Sequence, residues 1–172
     1  MHLQLHATLF TIATATDTTS SRALSEQELA AWRGMLQAHA RATQALDTQM
    51  RSEHHLSVSS YEVLMFLGDA PDRRMRMSEI ADGVLLSRSG LTRLVDRLCQ
   101  LGYVTRCAAE TDGRGQYAEL TDAGAEKLRA ARRTHLRGVR EVFLGRLSPT
   151  DQIALGEIWK RFLATDPAGG GC

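Results

Sequence analysis

Lysine is nearly missing from this chain: Lys127 and Lys160 are the only two among 21 basic side chains. That excludes a polylysine tract and leaves arginine, the better fork for phosphates and guanine edges, as the cation in use. Codon bias in a GC-rich genome produces the same excess, so composition alone does not decide between the two. Charge of one sign is also scarce, since the formal net charge is only +1. Any polyanion surface must therefore come from local segregation of charge rather than bulk excess. The three cysteines, Cys99, Cys107 and Cys172, form no CxxC pair and no disulfide-scaffold spacing, which fits a reducing cytoplasm. No apolar run approaches bilayer length, so no membrane partner is expected. A Gly-rich phosphate loop, an HExxH pair and a distinctive Ser-His-Asp spacing are all missing, so no catalytic residue, metal site or cofactor is expected and the chain does not read as an enzyme.

What is present fits one core plus an oligomerisation lobe within 172 residues. Residues 1–22 are rich in Thr, Ala and Ser and lack the basic start of a signal peptide. They are read as a flexible N-terminal arm or a partner-exchanged extension. Leu29, Trp32, Leu36, His39, Thr43, Leu46 and Met50 recur at helical steps, predicting a long amphipathic helix over about 25–53. Ser59 with Glu62 reads as a capping box opening a second helix. Pro71 and the basic cluster Arg73, Arg74 and Arg76 interrupt the pattern, and a third helix opens near Ser78 and ends near Val84. Ser87 caps a fourth helix that Gly102 stops. The segments 103–107 and 116–120 have β character and flank a polar stretch, giving a hairpin with a mobile tip. Thr121 caps a helix to about Leu144 carrying Leu128, Leu136, Val139 and Phe143 on one side. Ser148 and Pro149 open a last helix whose apolar face is Ile158, Trp159, Phe162 and Leu163. A Gly-rich end, 165–172, is read as a disordered tail.

Short helix, tight turn, second helix and β-hairpin is the order of a winged helix-turn-helix, which sets its second helix in the major groove. At about 100° per residue, Leu91, Leu94, Val95, Leu98 and Leu101 share one face of the fourth helix. Ser89, Arg93, Asp96 and Gln100 face the other way, with Thr92 and Arg97 on the flanks. Between Leu86 and Arg106 stand four arginines, Arg88, Arg93, Arg97 and Arg106, against the single acid Asp96. Ser87, Ser89 and Thr92 near the helix start suit phosphate oxygens. Outward arginines suit guanine, and Arg114 between two glycines suits a narrow minor groove. A solvated amphipathic helix would look similar in isolation; the hairpin that follows it favours the DNA reading. The fold class expected is mainly α with a small β-hairpin wing (α+β).

Taken together, Met77 to Ala81, Ser87 to Leu98, Leu101 to Val104, Asp112-Gly113-Arg114 and Leu120 to Gly124 resemble the MarR family of regulators, over about 26–163. The resemblance implies a homodimer in which the first and last helices of both subunits interlock, bound to double-stranded DNA at a pseudopalindromic operator, most often as a repressor. It implies domains at 1–22 (arm), 23–58 (dimerisation helix), 59–121 (winged helix-turn-helix lobe), 122–164 (dimerisation helices) and 165–172 (tail). It also implies release by a small aromatic ligand in a crevice between the lobes. Where the family often carries Asp-Arg-Arg at the wing tip, this chain has Asp112-Gly113-Arg114, so one wing contact is missing or made differently. The family pattern pairs the wing arginine with an acid of its own lobe, here Asp96 or Asp112.

Trp32, His39, His55, Tyr61 and Phe66 are the candidates to line such a crevice. The alternative is that Trp32 and Phe66 are core and both histidines are exposed or satisfied core groups. Two rival functions stay open: a winged-helix protein-interaction scaffold without DNA reading, and a thiol-based redox sensor. For the sensor Cys107 beside Arg106 is the best candidate, although the family's peroxide-sensing branch places its cysteine near the N-terminal helix. Arg129, Arg133, Arg137 and Arg140 read as the wet face of the long fifth helix.

Overall fold

The computed structural model describes residues 23–84, 86–108 and 116–164. The expected arm, the wing tip with Asp112 and Arg114, and the expected tail lie outside the described residues. The chain divides into a unit ending at Leu36 and a larger one from Gln37 onward, and α1 (Glu26–His54) runs through the division. In the first unit the Ser25 hydroxyl accepts from the Glu28 amide while the Glu28 carboxylate accepts from the Ser25 amide and hydroxyl. These reciprocal bonds satisfy donors that a helix start leaves open. They also hold the Glu28 carboxyl below its usual range. Leu24, Trp32 and Leu36 are exposed in this unit.

In the larger unit, His55 stops α1 in the left-handed region (φ 56°), its amide returning to the Arg51 carbonyl. Asp47 ties this end to the next helix by accepting from the Val58 amide at 2.9 Å. The second helix, α2 (Val58–Asp69), is capped by Ser57 rather than by Ser59, with the Ser57 hydroxyl accepting from the Ser60 amide at 3.0 Å. The correction has a simple cause: the apolar periodicity begins at Val58, so the cap lies one residue before it. Val63, Leu64 and Leu67 of α2 are fully buried.

The basic cluster expected to be an irregular break instead forms a strand, β1 (Arg74–Arg76), before α3 (Met77–Gly83). Then come α4 (Arg88–Gln100), β2 (Val104–Ala108) and β3 (Gln116–Leu120). The sheet is antiparallel in the order β1-β3-β2. Arg76 stands opposite Tyr117, and Val104 opposite Leu120. Val104, Ala118 and Leu120 are buried with Ile80, Leu91, Val95 and Leu98, so one face of the sheet closes the core over α2, α3 and α4. Burial of each such side chain contributes roughly 1.5–3 kcal/mol before the entropy of ordering it. The mainly helical fold with its small wing sheet is as the sequence predicts.

The fifth helix, α5 (Asp122–Val142), begins where three elements meet. Thr121 accepts from the Gly124 amide and donates to the Gly102 carbonyl at 2.7 Å, while its own amide bonds the Tyr103 carbonyl. A side chain at Gly124 would run into that same Tyr103 carbonyl. The close approach thus needs glycine, as the left-handed Gly102 (φ 75°) does just after α4.

Farther along, α5 is joined to the end of α1 by a chain of polar contacts. Arg137 donates to Glu53, Thr134 donates to Glu53 at 3.0 Å, and Thr134 lies 2.8 Å from His54 Nε2. The hydroxyl's one proton goes to the carboxylate, so the imidazole is the donor to Thr134. The Arg137 bond, then Thr134, hold the Glu53 carboxyl below its usual range. Burial, then the nearby Lys127, push His54 down. The last helix, α6 (Pro149–Ala164), opens on a reciprocal pair, Ser148 with Asp151, and contains no buried residue.

Candidate nucleic-acid interface

The helix α4 is pinned from one side and bare on the other. Leu91, Val95 and Leu98 are at most 1% exposed, and Leu94 packs against the same core. Leu101, expected on this face, is instead 47% exposed, because it lies at the C-cap where the chain leaves the helix for Gly102. Arg88, Ser89, Thr92, Arg93, Asp96, Arg97 and Gln100 are all exposed. The Ser87 hydroxyl accepts from the Gly90 amide at 3.1 Å, which orders the first turn. Its neighbour Ser89 lies 3.3 Å away, and Thr92 donates back to the Arg88 carbonyl at 2.9 Å. The first turn therefore presents hydroxyls and backbone amides together, an arrangement that suits anionic oxygens.

Sequence groups Arg106 with the arginines of the DNA-reading segment, and the structure gives it another task. From β2 it reaches Asp96 at 2.8 Å, the Thr92 carbonyl at 3.2 Å and Gln116 of β3 at 2.8 Å. It is a brace holding the root of the wing at a fixed distance from α4. Asp96, expected opposite Arg114, is occupied by Arg106; Arg114 and Asp112 lie outside the described residues. A pattern signal for the brace exists in the sequence. Arg106 shares the inward parity of Val104 on β2, and Asp96 is the one acid on α4. With Asp96 neutralised, the outward charge of α4 is carried by Arg88, Arg93 and Arg97.

The expected ligand-lining residues occupy unlike places. Trp32 is 54% exposed. In the larger unit, His39 and His55 are exposed, and His55 serves as the stop of α1. Tyr61 is buried, its ring stacked on His135 with centroids 4.5 Å apart. Phe66 is half-buried and lies over Gly83 of α3. Tyr61 and Phe66 thus share α2 but serve different packing contacts, and burial raises the Tyr61 hydroxyl above its usual range.

Among the described residues the two thiols, Cys99 and Cys107, sit in different surroundings, and Arg106 lies against Cys99 rather than Cys107. Burial pushes the Cys99 thiol up against the opposing pull of the Arg106 guanidinium. Cys107 points away from Arg106 and donates to the Glu119 carboxylate at 3.4 Å. No group of His, Cys, Asp and Glu among the described residues is arranged to hold a metal ion. No described helix is long and apolar enough to cross a membrane.

The model of the family described as MarR matches residues 54–115. Sco3205 of Streptomyces coelicolor, a MarR family transcriptional regulator solved in complex with DNA, is 34% identical, with a TM-score of 0.80 over 88% of this chain and 95% of that one. AbsC, another MarR family regulator of Streptomyces coelicolor, is 31% identical, with a TM-score of 0.77 over 84% of this chain and 97% of that one. The mutant MarR of E.coli solved with operator DNA shares the fold, with a TM-score of 0.70 at 20% identity over 83% of this chain and 99% of that one. The HTH-type transcriptional repressor YetL of Bacillus subtilis is 34% identical over 73 residues, 42% of this chain and 44% of that protein. The matched stretch thus spans less than half the length of that curated relative.

Proposed function

This chain belongs to the MarR family of transcriptional regulators, and on that premise we propose that it is a cytoplasmic repressor that binds a pseudopalindromic operator as a homodimer and is released by a small aromatic ligand. The observation that carries the DNA reading is the division of α4: its leucines and valine are locked in the core while Arg88, Arg93 and Arg97 stand in solvent. A helix fixed so firmly from behind can lie in a major groove without reorganising. The brace from Arg106 to Asp96 would keep the wing at the spacing of the adjacent minor groove. A scaffold protein has no need to gather guanidinium groups on that one surface, and regulators of this fold have been solved on DNA. In this reading Ser87, Ser89 and Thr92 meet phosphates, Arg93 and Arg97 reach base edges, Arg88 supports them, and Arg114 enters the minor groove.

Dimerisation is proposed for 23–58 together with 122–164, flanking the DNA-reading lobe at 59–121. Its support is the row of uncovered apolar side chains on α6, where Ile153, Phe162 and Leu163 are each more than two-thirds exposed. Ligand response rests on family membership. Of its candidate side chains Tyr61 is already committed to the stack on His135, so a ligand there would have to replace that contact.

An anisotropy titration of the DNA upstream of the chain's own gene, at two salt concentrations, tests the reading. Arg93→Ala should lose about 1–3 kcal/mol of binding and relax sequence preference. Arg114→Ala should weaken binding with less effect on preference. Unchanged affinity in both variants would remove the DNA assignment.

A further inference from the structure

The arginine cluster that precedes α3 takes no part in the interface described above. The structure puts two of its three members, Arg74 and Arg76, on the outer face of the wing sheet. Ala118 and Leu120 point into the core, so Tyr117 and Glu119 point outward from β3. The guanidinium of Arg74 lies 4.5 Å from the centre of the Tyr117 ring and that of Arg76 lies 5.2 Å from it. Two cations thus share one aromatic ring, an arrangement that tethers their long side chains and lowers the entropy cost when either binds an anion. Glu119 stands opposite Arg74 in the register, while Arg76 stands opposite Tyr117. Of the two arginines, Arg76 is therefore the one with no carboxylate opposite it in the strand pairing. The Arg76 end is the root of the wing, because the pairing of β2 with β3 reaches its last step, Ala108 with Gln116, one position beyond Tyr117.

We propose that the Arg74–Tyr117–Arg76 stack is a phosphate clamp that grips the DNA backbone on the outer side of the wing, beyond the bases reached by α4. The inference rests on the DNA-binding reading above. If the wing lies along a minor groove, the strand bordering that groove passes its root on the sheet's outer side. Arg76 is placed there by β-pairing and by its own amide, which donates to the Glu79 carboxylate at 3.2 Å and fixes the start of α3. Arg73 is held apart from the clamp by its ion pair with Asp122 at 2.9 Å. A bond to phosphate is independent of sequence, so the clamp adds affinity and footprint without specificity.

The test uses the full chain and a DNA duplex of unrelated sequence, with affinity followed by anisotropy between about 50 and 200 mM salt. Arg76→Met keeps the apolar stem against Tyr117 and the backbone amide of the cap but removes the charge. It should lower affinity and make the slope of log affinity against log salt shallower by about 0.9 for each phosphate no longer neutralised. Arg74→Met should do the same more weakly, and Tyr117→Leu should lower affinity at an unchanged slope. Thermal melts establish that each variant is folded, and glutamine at the same position (Arg76→Gln or Arg74→Gln) replaces a methionine variant that is not. Unchanged affinity and slope in the folded Arg76 variant, while Arg93→Ala still weakens binding, would overturn the clamp and leave the DNA reading intact; that is also the result expected if this face serves an acidic protein. Failure of the unaltered chain to bind any duplex, its own upstream DNA included, would overturn the DNA reading itself and the clamp with it.

Discussion

The helix α4 and the last helix α6 are built from similar parts and end in opposite situations. Each opens on a serine cap, and each carries a stripe of large apolar side chains at helical spacing. On α4 that stripe is buried by the molecule's own sheet and helices, leaving a wet face rich in arginine. On α6 no residue is buried: Ile153 is 71% exposed and Phe162 68%. A helix of this length gains little stability from propensity alone, so tertiary or quaternary cover must hold it. Contiguous apolar surface of this kind marks an interaction site. The comparison teaches that one periodicity signal can carry two meanings, an inner wall of the core or an apolar face left uncovered. Sequence shows the stripe, and only packing shows which.

The largest effect expected comes from breaking the buried side. Leu98 is 1% exposed and belongs to the core cluster that also holds Leu64 and Leu67 of α2 and Val104 and Leu120 of the sheet. Leu98→Ala should cost about 2–5 kcal/mol of unfolding free energy, measured by urea titration, because it leaves a cavity as well as losing transfer energy. A loss below about 1 kcal/mol would mean the core collapses around the change and that α4 is less rigidly held than its burial implies.

A smaller and different effect should follow on α6. Phe162→Ala removes a ring that is 68% exposed and meets Trp159 edge-on at 6.3 Å between centroids. The α4 lobe should keep its spectroscopic signature, while dimer dissociation measured by sedimentation should become easier by about 2 kcal/mol, the scale of a buried aromatic anchor. Equal dissociation in the variant would show that α6 is covered by something other than a second copy, and the contrast between the two helices would need another explanation.

How much of this is readable from the chain differs by residue. The caps Ser87, Thr121 and Ser148 and the stop at Gly102 are legible because each acts within three or four residues of itself. The winged order and the outward face of α4 follow from the same local rules. The strand β1 is not legible: Arg-Met-Arg is too short for its alternation to stand out as a strand, and its partner strand lies some forty residues away. Ser59, with Glu62 three residues on, reads as the capping box, whereas the burial of Val58 sets the helix start one residue after Ser57. Arg106 looks like one more cation of the interface because charge counting does not see which side of a strand a residue occupies. Arg114 and Asp112 lie outside the described residues, so the wing-tip contact rests on the sequence alone.

The third test concerns α5, which meets the core through Leu128 and Ala131 and carries the histidine that stacks on Tyr61. His135 Nδ1 is buried without a hydrogen-bond partner, and burial pushes the imidazole below its usual range. His54, at the joint of α1 with α5, is pushed the same way by burial and by Lys127, Arg133 and Arg137, with Glu53 opposing. In the unfolded chain both imidazoles take up protons below about pH 6.5, whereas the folded state resists until lower pH. The unfolded state therefore binds more protons in that window, and stability must fall as the pH drops through it. Further acidification reaches Glu53, whose lowered carboxyl adds a loss in the same direction at more acid pH. The helix α6 has no histidine, so its apolar face should be indifferent to the first of these steps. His135→Phe keeps an aromatic ring on Tyr61 and removes one of the two titrations. Its unfolding free energy, measured by urea at a series of pH values below about 6.5, should fall less steeply than that of the unaltered chain, with the residual slope set by His54. An identical slope in both would mean that His135 charges as freely in the folded protein as in the unfolded one, and that the packing of α5 on the core is looser than that of α4.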